Sequence, residues 1–143
     1  AFELGPCGFV GFNNSGKERV TGEHLAFLDE TLANMYRPHK YVFFHIPPAF
    51  FEETFVSDDK RRGFTRNAEE MHNLFKRHNV EEVFMAHIHG YASTVIDGIR
   101  YTLTAGAGAP LSKRLKPEDR SLHYIFIEAG PDKAVRDVIR LDA

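Results

Sequence analysis

The sequence has a single cysteine, no tryptophan, no excess of either charge and no long apolar run, and each shortage removes a class of protein. With only Cys7 there is no internal disulfide framework. Without a Cys-x-x-Cys pair, neither a thiolate zinc finger nor thioredoxin-type redox chemistry is expected. Cys7 lies among apolar neighbours and reads as structural. Eighteen Lys and Arg against 20 Asp and Glu leave a formal charge of -2, so no broad positive field is available to hold a nucleic-acid backbone non-specifically. The longest apolar runs, such as Tyr41 to Phe44 and Val83 to Ala86, fall far short of the roughly 20 residues that span a bilayer, and no transmembrane helix is expected. The chain opens at Ala1 without Met and without the charged and apolar stretches of a secretory leader. A natural start upstream is therefore expected, and no compartment is indicated.

What is present is an ordinary folded composition, 43% apolar and 27% charged in 143 residues, the size of one domain over 1–143. Cys7 to Phe12 reads as a short strand, and Asn13, Asn14, Ser15 and Gly16 as the turn after it. Leu25, Leu28, Leu32 and Met35 recur at spacings of three and four behind a capping Thr21, which predicts an amphipathic helix from Gly22 to Tyr36. Tyr41 to Phe44 and Val83 to Ala86 are continuous β-prone runs, as expected of central strands covered on both faces. Asn67 and Glu70 have capping-box spacing ahead of a second helix, from about Arg66 to His78, with Asn79 as its terminating residue. Asp97-Gly98 signals a type I′ hairpin that pairs Ile96 with Ile99, Thr94 with Tyr101 and Ala92 with Leu103. Leu122 to Glu128 and Ala134 to Leu141 form a closing hairpin.

The chemistry-bearing feature is Ala86-His87-Ile88-His89-Gly90, since two imidazoles two residues apart on extended backbone project to one side and can face one metal. The competing reading is that such histidines merely hydrogen-bond a turn. His45 tips the balance: it too follows an apolar strand, and parallel neighbouring strands would bring His45, His87 and His89 to the carboxyl-end rim where α/β sheets hold ligands.

These residues resemble the calcineurin-like metallophosphoesterase family. Its C-terminal half is similar to His45-Ile46-Pro47 after a strand, a Gly-His-x-His motif at His87 to His89, then a hairpin and a glycine-rich strand exit at Ala105 to Pro110. Ala86 stands where the family usually has glycine, a replacement that fits if the backbone there keeps a negative φ. The resemblance covers nearly the whole chain. It implies an α/β layered sandwich with a mixed sheet and two main helices, half of an α/β/β/α fold. It also implies a phosphohydrolase parent acting on a phosphate ester with two divalent metal ions, Mn, Fe, Zn or Ni. By resemblance, His45 and His87 bind one metal and His89 the other.

The family's Asp-x-His, Gly-Asp-x-x-Asp and Gly-Asn-His-Asp/Glu motifs do not occur, so the bridging aspartate, the asparagine ligand and the catalytic histidine are absent. No residue is therefore assigned a catalytic role. Two-metal hydrolysis needs both ions about 3.5–4 Å apart, a geometry three imidazoles alone do not hold. The chain thus reads as the C-terminal part of an enzyme, inactive without its N-terminal half. Apolar sheet surface left open by that separation predicts self-association. The alternative is a non-catalytic metal-binding or assembly module that keeps the fold. Substrate-binding residues are not identifiable. Lys60, Arg61 and Arg62 form a basic run that is either solvated or faces an anionic substrate. Gly106 and Gly108 suit close backbone packing better than a phosphate cradle, and Phe50, Phe51, Phe55 and Phe64 suit the core better than a lid. His24, His72 and His78 lie on predicted helices without a partner at an obvious ligand spacing, His123 lies within a strand and His39 in the loop before one, so each reads as a packing or surface residue.

Overall fold

The computed structural model describes residues 1–141, apart from the side chain of Asp58. In chain order the elements are β1 (Phe2–Leu4), β2 (Cys7–Gly11), α1 (Gly22–Ala33), β3 (His39–Phe43), α2 (Ala49–Glu52), α3 (Ala68–Arg77), β4 (Glu82–Met85), β5 (Tyr91–Ile96), β6 (Ile99–Thr104), β7 (Leu122–Ala129) and β8 (Ala134–Leu141). Six strands form one mixed sheet in the order β1-β2-β3-β4-β6-β5, and β7 and β8 form a second, two-stranded sheet. β2, β3, β4 and β6 run parallel, while β1 and β5 pair antiparallel at the two edges.

Local chemistry explains where the helices begin and stop. The Thr21 hydroxyl accepts from the His24 amide at 3.3 Å while His24 Nδ1 accepts from the Thr21 amide at 3.1 Å, a reciprocal cap in which histidine takes the place of Glu or Gln. α1 ends three residues short of Tyr36, because Asn34 folds its amide side chain back onto the Glu30 carbonyl at 2.9 Å. Met35 then leaves the helix and packs against Gly8, where a Cβ would collide with its sulfur. Before α3, Asn67 does not cap: its backbone is left-handed, at φ 59°, and its side-chain amide donates to the Val20 carbonyl at 2.8 Å. Asn79 does terminate that segment, with φ 55°. The Asp97-Gly98 hairpin has both central residues at positive φ and the predicted register, Ile96 against Ile99 and Ala92 against Leu103.

The two faces of the large sheet differ. Val10, Val42, Val83, Met85, Tyr101 and Leu103 pack with Leu28, Leu32, Met71 and Phe75 into one apolar core under the helices. Phe51, Phe55 and Phe64 join it, and Phe50 packs on its margin, so the loop phenylalanines are core anchors. On the other face Phe2, Phe9, Tyr41 and Phe84 form a row of rings across four strands, with successive centroids 4.8, 5.5 and 6.1 Å apart. The β7–β8 hairpin covers only part of this face. It is held by a Glu82–Arg136 ion pair at 2.9 Å and by His39 Nε2 donating to the Gly130 carbonyl at 2.8 Å. The expectation that Tyr41 to Phe44 is covered on both faces is therefore corrected: Phe43 is 43% exposed, because a two-stranded layer is narrower than the sheet beneath it.

Candidate functional site

Parallel pairing of β3 with β4, Phe43 against Phe84, brings the carboxyl ends of both strands to one edge, where the Ala86 amide donates to the His45 carbonyl at 3.0 Å. His45 and His87 each lie two residues beyond their strand. His45 Nε2 and His87 Nδ1 come within 3.3 Å, with the rings 5.2 Å apart and nearly perpendicular. At this distance one of the two nitrogens holds the proton and the other accepts it.

The position of His45 is fixed from below by Asn14. This buried side chain accepts from the amides of His45 and Ile46 at 2.9 and 2.8 Å and donates to the Ile46 carbonyl at 2.8 Å, so the turn after β2 clamps the turn after β3. Sequence reading placed Asn14 in a turn and missed this role. Its neighbour Asn13 has the same chemistry, and nothing local says which of the two turns inward.

His87 is the positive-φ residue of its motif, at 69°, while Ala86 keeps an ordinary backbone, so alanine is tolerated in the position before it. β4 ends at Met85 and the chain turns at His87, so the two-residue alternation expected for extended backbone does not hold. His89 accordingly diverges, and its Nδ1 donates to the Pro110 carbonyl at 3.0 Å. Among the described residues no three His, Cys, Asp or Glu side chains gather at one point. The fold thus brings His45 and His87 together and sets His89 apart.

Two imidazoles are a chemically fitting but partial donor set. Imidazole suits zinc, iron, nickel and copper, and zinc takes about four ligands. Burial holds the His87 proton affinity below its ordinary value, reinforced by the charges of His45, Arg114 and Arg19 and opposed by Glu52, which favours the neutral ring that binds metal.

Arg114 is a second feature not found by sequence reading. Its guanidinium pairs with the carboxylate of Glu52, which is 1% exposed, and donates through Nε to the Lys60 carbonyl at 3.0 Å. This joins the loop before α3 to the loop after β6. That second loop rests on the histidine turn: the Ser112 amide donates to the His89 carbonyl at 2.8 Å, and Gly90 leaves space that Leu115 and the Asp119 carbonyl fill. Gly106 packs against His123 and the Ser121 carbonyl, the close approach expected of it.

The other histidines have structural partners. His72 bonds the Tyr101 hydroxyl at 2.6 Å, His78 bonds Asp29 at 2.6 Å, and His123 bonds Thr104 at 3.0 Å. His39 opens β3 rather than preceding it, and both its ring nitrogens face acceptors, Glu81 at 2.6 Å and Gly130. The Glu81 hydrogen bond raises its proton affinity, helped by the Gly130 carbonyl and opposed by burial.

The fold has solved counterparts. The chain superposes on a purple acid phosphatase from yellow lupin seeds with a TM-score of 0.78 and 14% identity, over 97% of this chain and 29% of that one. It superposes on GAP50, the anchor in the inner membrane complex of Plasmodium, with a TM-score of 0.67 and 11% identity, over 94% of this chain and 45% of that one. The chain therefore spans less than half the length of either neighbour. No family model matches the sequence, and no curated protein matches it significantly. At these identities the likeness shows a metallophosphoesterase-like fold, a mixed six-stranded sheet with three helices.

Proposed function

We propose that the chain is the C-terminal part of a metal-dependent phosphohydrolase, contributing one pole of a divalent-metal site and inactive without the N-terminal part of the domain. The observation that carries this is the convergence of His45 and His87, 3.3 Å apart, at the carboxyl ends of adjacent parallel strands. A bound ion would polarise a phosphoryl oxygen and lower the pKa of its water. Here Asn14 holds the His45 backbone, and Arg19 places positive charge near His87, where an anionic ester would approach, while the charge of Arg114 is offset by Glu52. His89 stands apart from the pair, in keeping with a role toward a second ion. The test is titration of Mn²⁺ and Zn²⁺ into the purified chain, with turnover of a chromogenic phosphate ester followed in parallel. One ion per chain, lost in His45→Ala and in His87→Ala, with no turnover, is expected. Metal uptake unchanged by either substitution contradicts the site, and turnover by the chain alone contradicts its incompleteness.

A second reading, a non-catalytic assembly module on the same fold, is favoured by the outer face of the hairpin. There Tyr124, Phe126, Val135 and Ile139 are exposed, Phe126 by 53%. Both readings predict self-association of the isolated chain through this open layer. Sedimentation at micromolar concentration should show a dimer or larger species that Phe126→Ser with Ile139→Ser dissolves, and a clean wild-type monomer contradicts it.

A further inference from the structure

Beside the histidine turn lies a cavity of about 330 Å³ between the loop after α2 and the loop after β6, with Lys60, Lys113, Arg114, Lys116 and Arg120 among its lining residues. We infer that this cavity is a binding site for a small diphosphate-type anion, two adjacent phosphate groups on one soluble molecule.

The charges in the cavity are unequal in their partners. Arg114 is neutralised by Glu52, and the one carboxylate of the lining, Glu53, lies 4.0 Å from Arg61. Lys60 and Lys113 have no ion pair among the described residues, and Lys116 is balanced only in part by Asp119, whose carboxyl feels its charge. Arg120 is pinned by neutral groups: Nε and Nη2 donate to the Leu115 carbonyl at 2.9 and 2.6 Å, and Nη2 reaches the Lys113 carbonyl at 3.3 Å. Its full charge is therefore held in place without a carboxylate. A chain with a formal charge of -2 has gathered three to four uncompensated cations at one concave spot. Crowding like charges raises the free energy of the empty site, and an anion relieves it.

The number of cations selects the ligand. One phosphate group carries about two negative charges and is matched by two of them. Three to four match the charge of a diphosphate. Phe55, Val56 and Leu115, all buried, give the cavity a rigid apolar floor, and Arg114 locks its two walls together, so little ordering is needed on binding. The same loop carries Ser112 against the His89 carbonyl and Leu115 against Gly90, which places the cavity beside the His89 end of the turn. Assigning the anion to a substrate of the histidine site rests on the phosphohydrolase reading. The anion site itself does not, because it uses no metal.

The test is calorimetric titration of sodium pyrophosphate into the metal-free full chain at low ionic strength, with orthophosphate and sulfate as comparators. Pyrophosphate should bind at least tenfold more tightly than either comparator and weaken steeply as KCl is raised. Lys113→Gln with Lys116→Gln, both exposed side chains, should weaken it tenfold or more at unchanged circular dichroism. Lys133→Gln, in the distant β7–β8 turn, and His45→Ala with His87→Ala should leave it unchanged. Failure of pyrophosphate to bind, binding no tighter than sulfate, or binding indifferent to the two lysines would overturn the inference. Pyrophosphate binding in a chain that takes up no metal leaves this inference standing and removes the phosphohydrolase reading.

Discussion

The large sheet has one finished face and one unfinished face. Under α1 and α3 the side chains are apolar, interdigitated and buried. Across the sheet, the β7–β8 hairpin is held by polar contacts at a few points, and aromatic rings reach solvent beside it. The first face holds most of the buried apolar core. The second is tied down by ion pairs and hydrogen bonds, and the histidine pair sits beyond the carboxyl ends of β3 and β4.

The sharpest way to test this contrast is to remove a ring from each side. Phe75→Ala on the closed face should cost about 3–5 kcal/mol in urea unfolding, because a fully buried ring leaves a cavity. Phe43→Ala on the open face should change stability by about 0.5 kcal/mol or less. Equal losses would mean that the hairpin side is as well packed as the helix side.

Next in size is the polar tie between the layers. Burial raises the Glu82 proton affinity, opposed by Thr102 and Arg136, so the carboxylate depends on those partners. Arg136→Ala should cost about 3 kcal/mol by leaving a buried charge unpaired. Glu82→Gln in the same background should recover part of this, since an amide needs no counter-charge, and a loss unchanged by the second substitution would assign the effect to packing.

Asn14→Ala should cost about 1–3 kcal/mol by leaving the His45 and Ile46 amides without their acceptor. It should also weaken metal uptake by releasing His45, whereas destabilisation with metal uptake intact would limit Asn14 to a structural role.

The smallest effect is a pH dependence. His39 has a proton affinity raised above its ordinary 6.5, so its contribution is fully present below that value and is lost as pH rises through the higher folded value. Urea midpoints compared from pH 5.5 to 8.5 should fall more in the wild type than in His39→Gln. Parallel slopes would show that His39 does not tie the layers.

Much of this fold is legible in the sequence because local signals agree with it. Leu25, Leu28 and Leu32 make a stripe, Asp97-Gly98 dictates a turn and hence a register, and two apolar runs mark adjacent parallel strands. What is not legible depends on where the backbone turns. The His-x-His spacing reads as two rings on one side only while the chain stays extended, and the left-handed φ of His87 cancels that. Asn14 and Arg114 act across 31 and 62 residues of sequence, on His45 and Glu52, so no local pattern announces them. The lysines of the anion cavity are likewise split between two charged stretches, Lys60 to Arg62 and Lys113 to Arg120, and no local pattern says that the two face one another.

The most direct test of the account is the coordination sphere of an ion bound to this chain. X-ray absorption on the zinc-loaded protein should count two imidazole nitrogens and otherwise oxygen ligands, with the nitrogen signal lost in His45→Ala/His87→Ala. A spectrum that requires three imidazoles, or one that survives the double substitution, would contradict the claim that His45 and His87 form one pole of a divided site.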